Sequence, residues 1–162
     1  MSTGPLMSKK VSVREVTADN WEKVVDLELL DEQEDFVASN AYSLAESKFN
    51  PYAVPRAVYA GKKVVGFLMY ETLDEEGEPG TYSIYRFMID RRQQGKGYGR
   101  KALEQTLKEI SRQPNCRRIT ICYVPGNDNA KAFYASFGFA EIGIDEHGEM
   151  VAEIRLNGRP SA

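Results

Sequence analysis

The sequence predicts a mixed α/β fold, a twisted central sheet flanked by helices. Three observations carry this expectation. Runs with strand patterning and runs with helical spacing alternate in the order β-α-α-β-β-β-α-β-α-β-β, which calls for a sheet with both hairpins and crossovers. A glycine-rich loop, Gln93-Gln94-Gly95-Lys96-Gly97-Tyr98-Gly99, lies between a predicted strand and a predicted helix. At 162 residues the chain is long enough to bury a substantial core as one domain. That domain is expected over residues 11–157, between tails at 1–10 and 158–162.

Residues 11–16 alternate apolar and polar side chains, the pattern of a strand. Thr17, Asp19 and Asn20 offer helix caps ahead of Trp21, Val24, Val25 and Leu29, which recur at helical spacing. A second short helix is expected over 36–46, with Pro51 and Pro55 barring its continuation. Residues 57–60 and 64–70 flank Gly61-Lys62-Lys63, a hairpin signature. An acidic loop at 74–80 then leads into a strand over 81–90. After the glycine loop, a helix over 98–111 places Leu103, Leu107 and Ile110 on one face, with Glu104 and Lys108 in the favourable order on its surface. Residues 118–124 are rich in strand formers. Asn127, Asp128 and Asn129 cap a short helix carrying Ala130, Phe133, Tyr134 and Phe137, and Gly138 suits the left-handed position past its end. Strands at 140–144 and 150–156 close the chain.

A hydrophobic share of 42% and a charged share of 28% are those of an ordinary soluble globular protein. The net charge of −3 argues against a nucleic-acid or anionic-membrane partner. No apolar run approaches the ~20 residues that span a bilayer, and residues 1–10 lack the apolar core of a signal peptide, so a cytoplasmic setting is expected. Cys116 and Cys122 are too few for a disulfide framework and lack metal-binding spacing, so no metal is expected; Cys122, in an apolar strand, reads as a buried thiol.

The glycine loop is the feature richest in chemistry. Gly95, Gly97 and Gly99 let backbone approach a ligand without Cβ obstruction. The following helix turns its free N–H groups and positive dipole end toward the loop, an arrangement suited to a pyrophosphate. No Gly-x-x-x-x-Gly-Lys-Ser/Thr run exists, which excludes a P-loop. Gly97-x-Gly99-x-x-Ala102 fits a relaxed dinucleotide fingerprint, but the next strand, Ile121-Cys122-Tyr123-Val124, ends without the acid that fingerprint needs. A glycine turn with no ligand is the plain structural alternative.

Gln94-x-x-Gly97-x-Gly99 resembles the acyl-CoA signature of the GNAT family of N-acetyltransferases. Asn129-x-x-Ala132-Phe133-Tyr134-x-x-x-Gly138-Phe139 resembles the C-terminal motif of the same family, in the right order and separation. The resemblance implies the GNAT fold and acetyl-CoA as co-substrate. It implies a pyrophosphate held by the backbone of Gln94, Gly95, Lys96, Gly97, Tyr98 and Gly99, beside Arg100. It also implies that Phe87, Met88 and Ile89 face the pantetheine arm and thioester, and that Asn127 and Asn129 contact the cofactor, although helix capping explains both asparagines as well. Tyr134 takes the role of general acid to the departing thiolate, because a phenol with a pKa near ~10 carries a donatable proton at neutral pH. The null role of Tyr134 is a core aromatic.

The base has no clear owner. His147 lies in Asp145-Glu146-His147-Gly148-Glu149, which reads as a solvated turn. Glu71, Asp74 and Glu75 follow a central strand, and Asp90 is expected to order the glycine loop. The segment carrying Gln33, Phe36, Asn40 and Glu46 resembles that of bacterial spermine/spermidine N-acetyltransferases, which implies that these residues bind a polyamine. Other acceptors stay open: a protein N-terminus, an amino acid or an antibiotic amine. So does a non-catalytic acyl-CoA sensor, and so does a homodimer.

Overall fold

A computed structural model describes residues 9–36 and 38–156. Residues 1–8 and 158–162 of the expected tails lie outside the described residues, as do residue 157 of the expected domain and the side chain of Phe36. The elements are β1 (Val11–Glu15), α1 (Trp21–Val25), a 3-10 turn (Asp31–Phe36), α2 (Asn40–Phe49), β2 (Ala53–Ala60), β3 (Lys63–Thr72), β4 (Thr81–Ile89), α3 (Tyr98–Ser111), β5 (Arg118–Tyr123), α4 (Asp128–Ala135), β6 (Ala140–Ile144) and β7 (Met150–Arg155). The strands form one sheet in the order β1-β2-β3-β4-β5-β7-β6. Every pair is antiparallel except β4 with β5, which the α3 crossover makes parallel.

Apolar residues cover both faces of the sheet. On one face Leu103 and Ile110 of α3 and Tyr134 of α4 pack with Leu68, Ile84 and Ile121. On the other, Val24 of α1 packs with Phe67, Met69 and Met88, and Leu44 of α2 joins at the margin. This two-sided burial explains why β3 reads as a continuous apolar run rather than an alternating one. Gly66 in β3 is required by close packing: a Cβ there would stand 2.6 Å from the Met88 carbonyl oxygen.

Two irregularities in β4 position the site. Its pairing with β5 stops at Ile84↔Ile121, although both strands run on, so they splay apart. On its other side the register passes from Tyr70↔Ile84 to Met69↔Arg86, leaving Tyr85 as an extra residue. Such a bulge re-aims the side chains around it. Here it sends Tyr85 and Arg86 both toward α2, while Ile84 and Phe87 stay with the core under α3.

Several expectations change. The second helix starts at Asn40 rather than 36 and runs on to Phe49, because Ser39 accepts the Tyr42 N–H (3.1 Å) and caps it there. Helix α1 ends at Val25, so Leu29 lies outside it. Asn20 does not cap that helix with its side chain; it accepts from the Thr17 N–H (2.7 Å) and donates to the Glu15 carbonyl and Tyr59 hydroxyl. Pro55 lies inside β2, where β1 has already ended and no ladder bond is lost on that side. Cys122 is only half-buried; Cys116 is the enclosed thiol.

Candidate active site

The glycine loop hangs from Asp90. This carboxylate is buried and accepts the N–H groups of Glu28 (2.9 Å) and Arg92 (3.3 Å), which ties the loop to the segment after α1. The Gln94 side chain donates to Gln33 (2.8 Å) and to the Ile89 carbonyl (3.0 Å), closing the end of β4 against the loop. Gly95 and Gly97 adopt φ of +78° and +81°, where an L side chain is strained, and an added Cβ at either would meet no atom within 4 Å. The backbone of the loop therefore faces open space. No side chain caps α3, and the first N–H to reach back is that of Lys101, to the Gly97 carbonyl (3.3 Å). The amides of Tyr98, Gly99 and Arg100 project from the helix end, as an anion site requires.

A cleft of about 710 Å³ opens over this loop. It runs along the outer part of β4, where Phe87, Met88 and Ile89 have no partner strand on the β5 side. Its far wall is α4, with Asn127, Asn129, Ala130, Phe133 and Tyr134. Arg100 closes one side, bonded to Ser136 (2.8 Å) and stacked over Phe137. Tyr134 is 8% exposed and packs on the rings of Phe133, Tyr123 and Phe139. Its hydroxyl has no hydrogen-bond partner among the described residues. Burial, with Tyr123 second, raises its pKa above the ordinary phenol value, so it is protonated at neutral pH.

A second cavity, of about 170 Å³, lies across the splay. Phe87, Asn127, Ala130 and Tyr134 line both spaces, so the two meet where β4 and β5 part. Tyr85, Arg86, Cys122 and Glu149 line the far side. Arg86 donates to Ser43 (3.2 Å) and pairs with Glu46 (3.7 Å), both on α2. Glu71 accepts from Asn50 (2.6 Å), and burial raises its pKa against that bond, with Glu76 and Glu46 adding to the rise. The Cys122 sulfur and the carboxylates of Asp145 and Glu149 lie within 4.8 Å of one another. Burial, helped by Glu149 and Asp145, pushes the Cys122 thiol up to about 11.

The sequence profile of the acetyltransferase (GNAT) family matches residues 12–139. The chain belongs to the GNAT acetyltransferase family. It is 32% identical over 145 residues to the spermine/spermidine N(1)-acetyltransferase of Bacillus subtilis (strain 168), a match covering 87% of this chain and 95% of that protein. Among solved structures, the aminoglycoside acetyltransferase AAC(6')-Ib in complex with coenzyme A has a TM-score of 0.72 at 16% identity, covering 90% of this chain and 95% of the other. The PaiA N-acetyltransferase of Thermoplasma acidophilum, in complex with coenzyme A, has a TM-score of 0.68 at 14% identity, covering 91% and 99%. These two likenesses show the fold. Family membership makes this GNAT chain an acyl-CoA-dependent N-acetyltransferase.

Of the residues singled out for the GNAT cofactor site, Phe87, Met88, Ile89, Gln94, Gly95, Gly97, Tyr98, Gly99, Arg100, Asn127 and Asn129 border the large cleft, as does Tyr134. Lys96 does not; its ammonium donates to Gln93 (3.0 Å). Tyr98 buries its ring in the core and offers only backbone. Asn127 caps α4 through the Ala130 N–H (3.2 Å) and also lines the two cavities. Of the acceptor candidates, Gln33 lines the cleft, but Asn40 is buried and donates to the Val24 carbonyl (2.9 Å), and Glu46 faces Arg86 on the other side of the sheet. The sequence reading missed Leu29, Leu30, Glu32, Gln93, Ala130 and Phe133 as cleft residues. Phe133 and Ala130 were legible only as core positions, and nothing local distinguishes a core face from one that also walls a cleft. His147 is exposed in a turn, as its surroundings predict.

Proposed function

We propose that this enzyme acetylates a primary amine of a polyamine such as spermidine or spermine, with acetyl-CoA as donor, by direct attack in a ternary complex. One observation carries the reading: two cavities share the wall at Tyr134, one floored by a free-amide glycine loop and the other edged by Glu149, with Asp145 beside it. The donor fits the first. Open backbone at Gly95 and Gly97, the free end of α3 and the unpaired edge of β4 match a pyrophosphate followed by an extended, amide-bearing arm. When bound, acetyl-CoA supplies a thioester carbon open to attack and a thiolate leaving group.

The residues of the chain do the rest. Backbone amides at 94–100 hold the diphosphate. The free edge of β4 at Phe87, Met88 and Ile89 orients the arm and offers an N–H to the thioester oxygen as it gains charge. Tyr134, buried and un-ionised, donates a hydrogen bond and then its proton to the departing sulfur. The acceptor enters through the smaller cavity, where Glu149, with Asp145 beside it, favours a cation. The named activity of the Bacillus subtilis relative supports that choice of acceptor.

The test is thiol release from acetyl-CoA over a panel of amines. Spermidine and spermine should lead, and the KM for spermine should rise with salt, since attraction between exposed charges is screened over about 8 Å at physiological ionic strength. Turnover of amino acids or aminoglycosides with inert polyamines would refute the acceptor and leave the acetyl transfer standing. Acetyl-CoA binding without thiol release from any amine would point instead to a sensor.

A further inference from the structure

We infer that Glu149 is the carboxylate that takes the proton from the acceptor amine, in the cavity where β4 and β5 part. The inference rests on the acetyl transfer proposed above. It starts from the small cavity beyond the β4–β5 splay. Glu149 is the only carboxylate that lines it among the described residues, and Tyr134 lines it too. Tyr134 is more than nine-tenths buried, and its hydroxyl has no partner there. A pocket of about 170 Å³ is thus lined by both a phenol and a carboxylate.

The rival carboxylates are engaged elsewhere. Glu46 pairs with Arg86 (3.7 Å). Glu71 accepts from Asn50 (2.6 Å) and does not line the cavity. Asp145 accepts the N–H groups of His147 and Glu149 (2.9 Å each) and so builds the turn. Glu149 has no hydrogen-bond donor or cation on its carboxylate among the described residues. Its backbone is nonetheless fixed: its N–H is held by Asp145, and its carbonyl accepts the Asp145 N–H (2.8 Å). The side chain is therefore free while its root is placed, as a proton acceptor needs. Nothing else in that cavity can serve. The Cys122 thiol, pushed up to about 11, is neutral at pH 7, and burial likewise raises the pKa of Tyr85.

The step balances. The alkylammonium gives one proton to Glu149, and its freed lone pair forms the C–N bond at the thioester carbon. The C–S bond breaks with its electron pair on sulfur, which takes the Tyr134 proton. The second proton lost from nitrogen restores the phenol, and Glu149 returns its own to water. The products are an amide, a free thiol and one proton.

Glu149→Gln and Glu149→Asp test this with spermidine as acceptor, thiol release as readout and calorimetry for acetyl-CoA. Glu149→Gln should lower kcat by about 10²-fold or more, the usual scale of proton-transfer catalysis, with acetyl-CoA affinity unchanged. The acid limb of kcat/KM against pH should flatten in this variant and survive in Glu149→Asp, at a rate between native and Gln. The groups facing Glu149 are Asp145 in its own turn, Cys122 and Tyr123 on β5, Tyr85 and Arg86 on β4, and Tyr134 on α4. An acid limb that belonged to Asp145 would persist in Glu149→Gln and overturn the assignment. So would a kcat within threefold of native. Should Glu149→Gln fail to fold, Glu149→Asp decides alone: native kcat there overturns the inference, and a loss of tenfold or more with the limb retained supports it. A native protein inert toward every amine would instead overturn the acetyl transfer itself.

Discussion

Tyr134→Phe separates a catalytic phenol from a core aromatic by two readouts, activity and stability, of which only the first should change. The ring packs on Tyr123 (centroids 5.7 Å apart), Phe133 (5.3 Å) and Phe139 (6.0 Å), and phenylalanine keeps all three contacts. The lost hydroxyl has no partner among the described residues, so its removal breaks no hydrogen bond within the protein. The hydroxyl belongs to a residue that borders both cavities and, unlike that of Tyr85, it is not a fully buried unpartnered group, so its removal relieves no burial penalty. Stability should hold, on a scale where each kcal/mol moves Tm by about 2–4 °C at this size. Activity should fall. Loss of the proton donor should cut kcat by about 10²-fold, close to 2.7 kcal/mol of transition-state stabilisation. Stopped-flow thiol release and calorimetric melting measure the two sides. A variant that loses stability but keeps native kcat would refute the reasoning and return Tyr134 to the core.

Gly97→Val should abolish acetyl-CoA binding in calorimetry and cost about 1–2 kcal/mol of stability from left-handed strain, since Gly97 has φ of +81°. Gly99→Ala meets only ordinary contact, 3.5 Å from the Ile89 side chain, so any weakening of binding there reports the ligand rather than the fold. Asp90→Ala orphans the N–H groups of Glu28 and Arg92 and should cost about 2 kcal/mol in denaturant unfolding, with weaker acetyl-CoA binding as the loop loosens; Asp90→Asn, which keeps an acceptor oxygen, should cost less. Stability should begin to fall above the ordinary thiol value of 9.0, first through Cys122, whose thiol burial pushes up to about 11, and further above the ordinary phenol value of 10.0. Tyr70, Tyr85, Tyr123 and Tyr134 all have raised pKa values, Tyr123 at about 12, with burial the first cause in each. Above the unfolded pKa the native state binds more protons than the unfolded one, so raising pH favours unfolding until the folded phenols ionise. Tyrosinate absorbance titrating natively at the ordinary value would contradict this.

The sequence by itself determined the glycine loop, the helix it opens and the element order. The predicted bounds of α3, 98–111, coincide with the observed Tyr98–Ser111. These features rest on local physics. A positive φ asks for glycine at the residue itself, a cap acts within one turn, and an amphipathic face repeats every few residues. Asn127 and Gly138 were legible for the same reason. The tertiary structure alone decided how far β4 pairs with β5, and it alone placed the bulge at Tyr85. Both are properties of register, and register depends on partner strands distant in sequence. The splay turns Tyr134 from one aromatic of a core helix into the wall shared by two cavities. It also brings a turn residue, Glu149, into a cavity that Tyr134 borders, although only 15 positions of sequence separate them and nothing local marks the pair. Asn40 shows the converse. A segment resemblance put it among substrate contacts, while its burial between α1 and β4 engages its amide with Val24 and Met88. Polar side chains of one type serve as cap, core clamp or ligand contact according to what the fold packs around them, and that is not written in the residue or its neighbours.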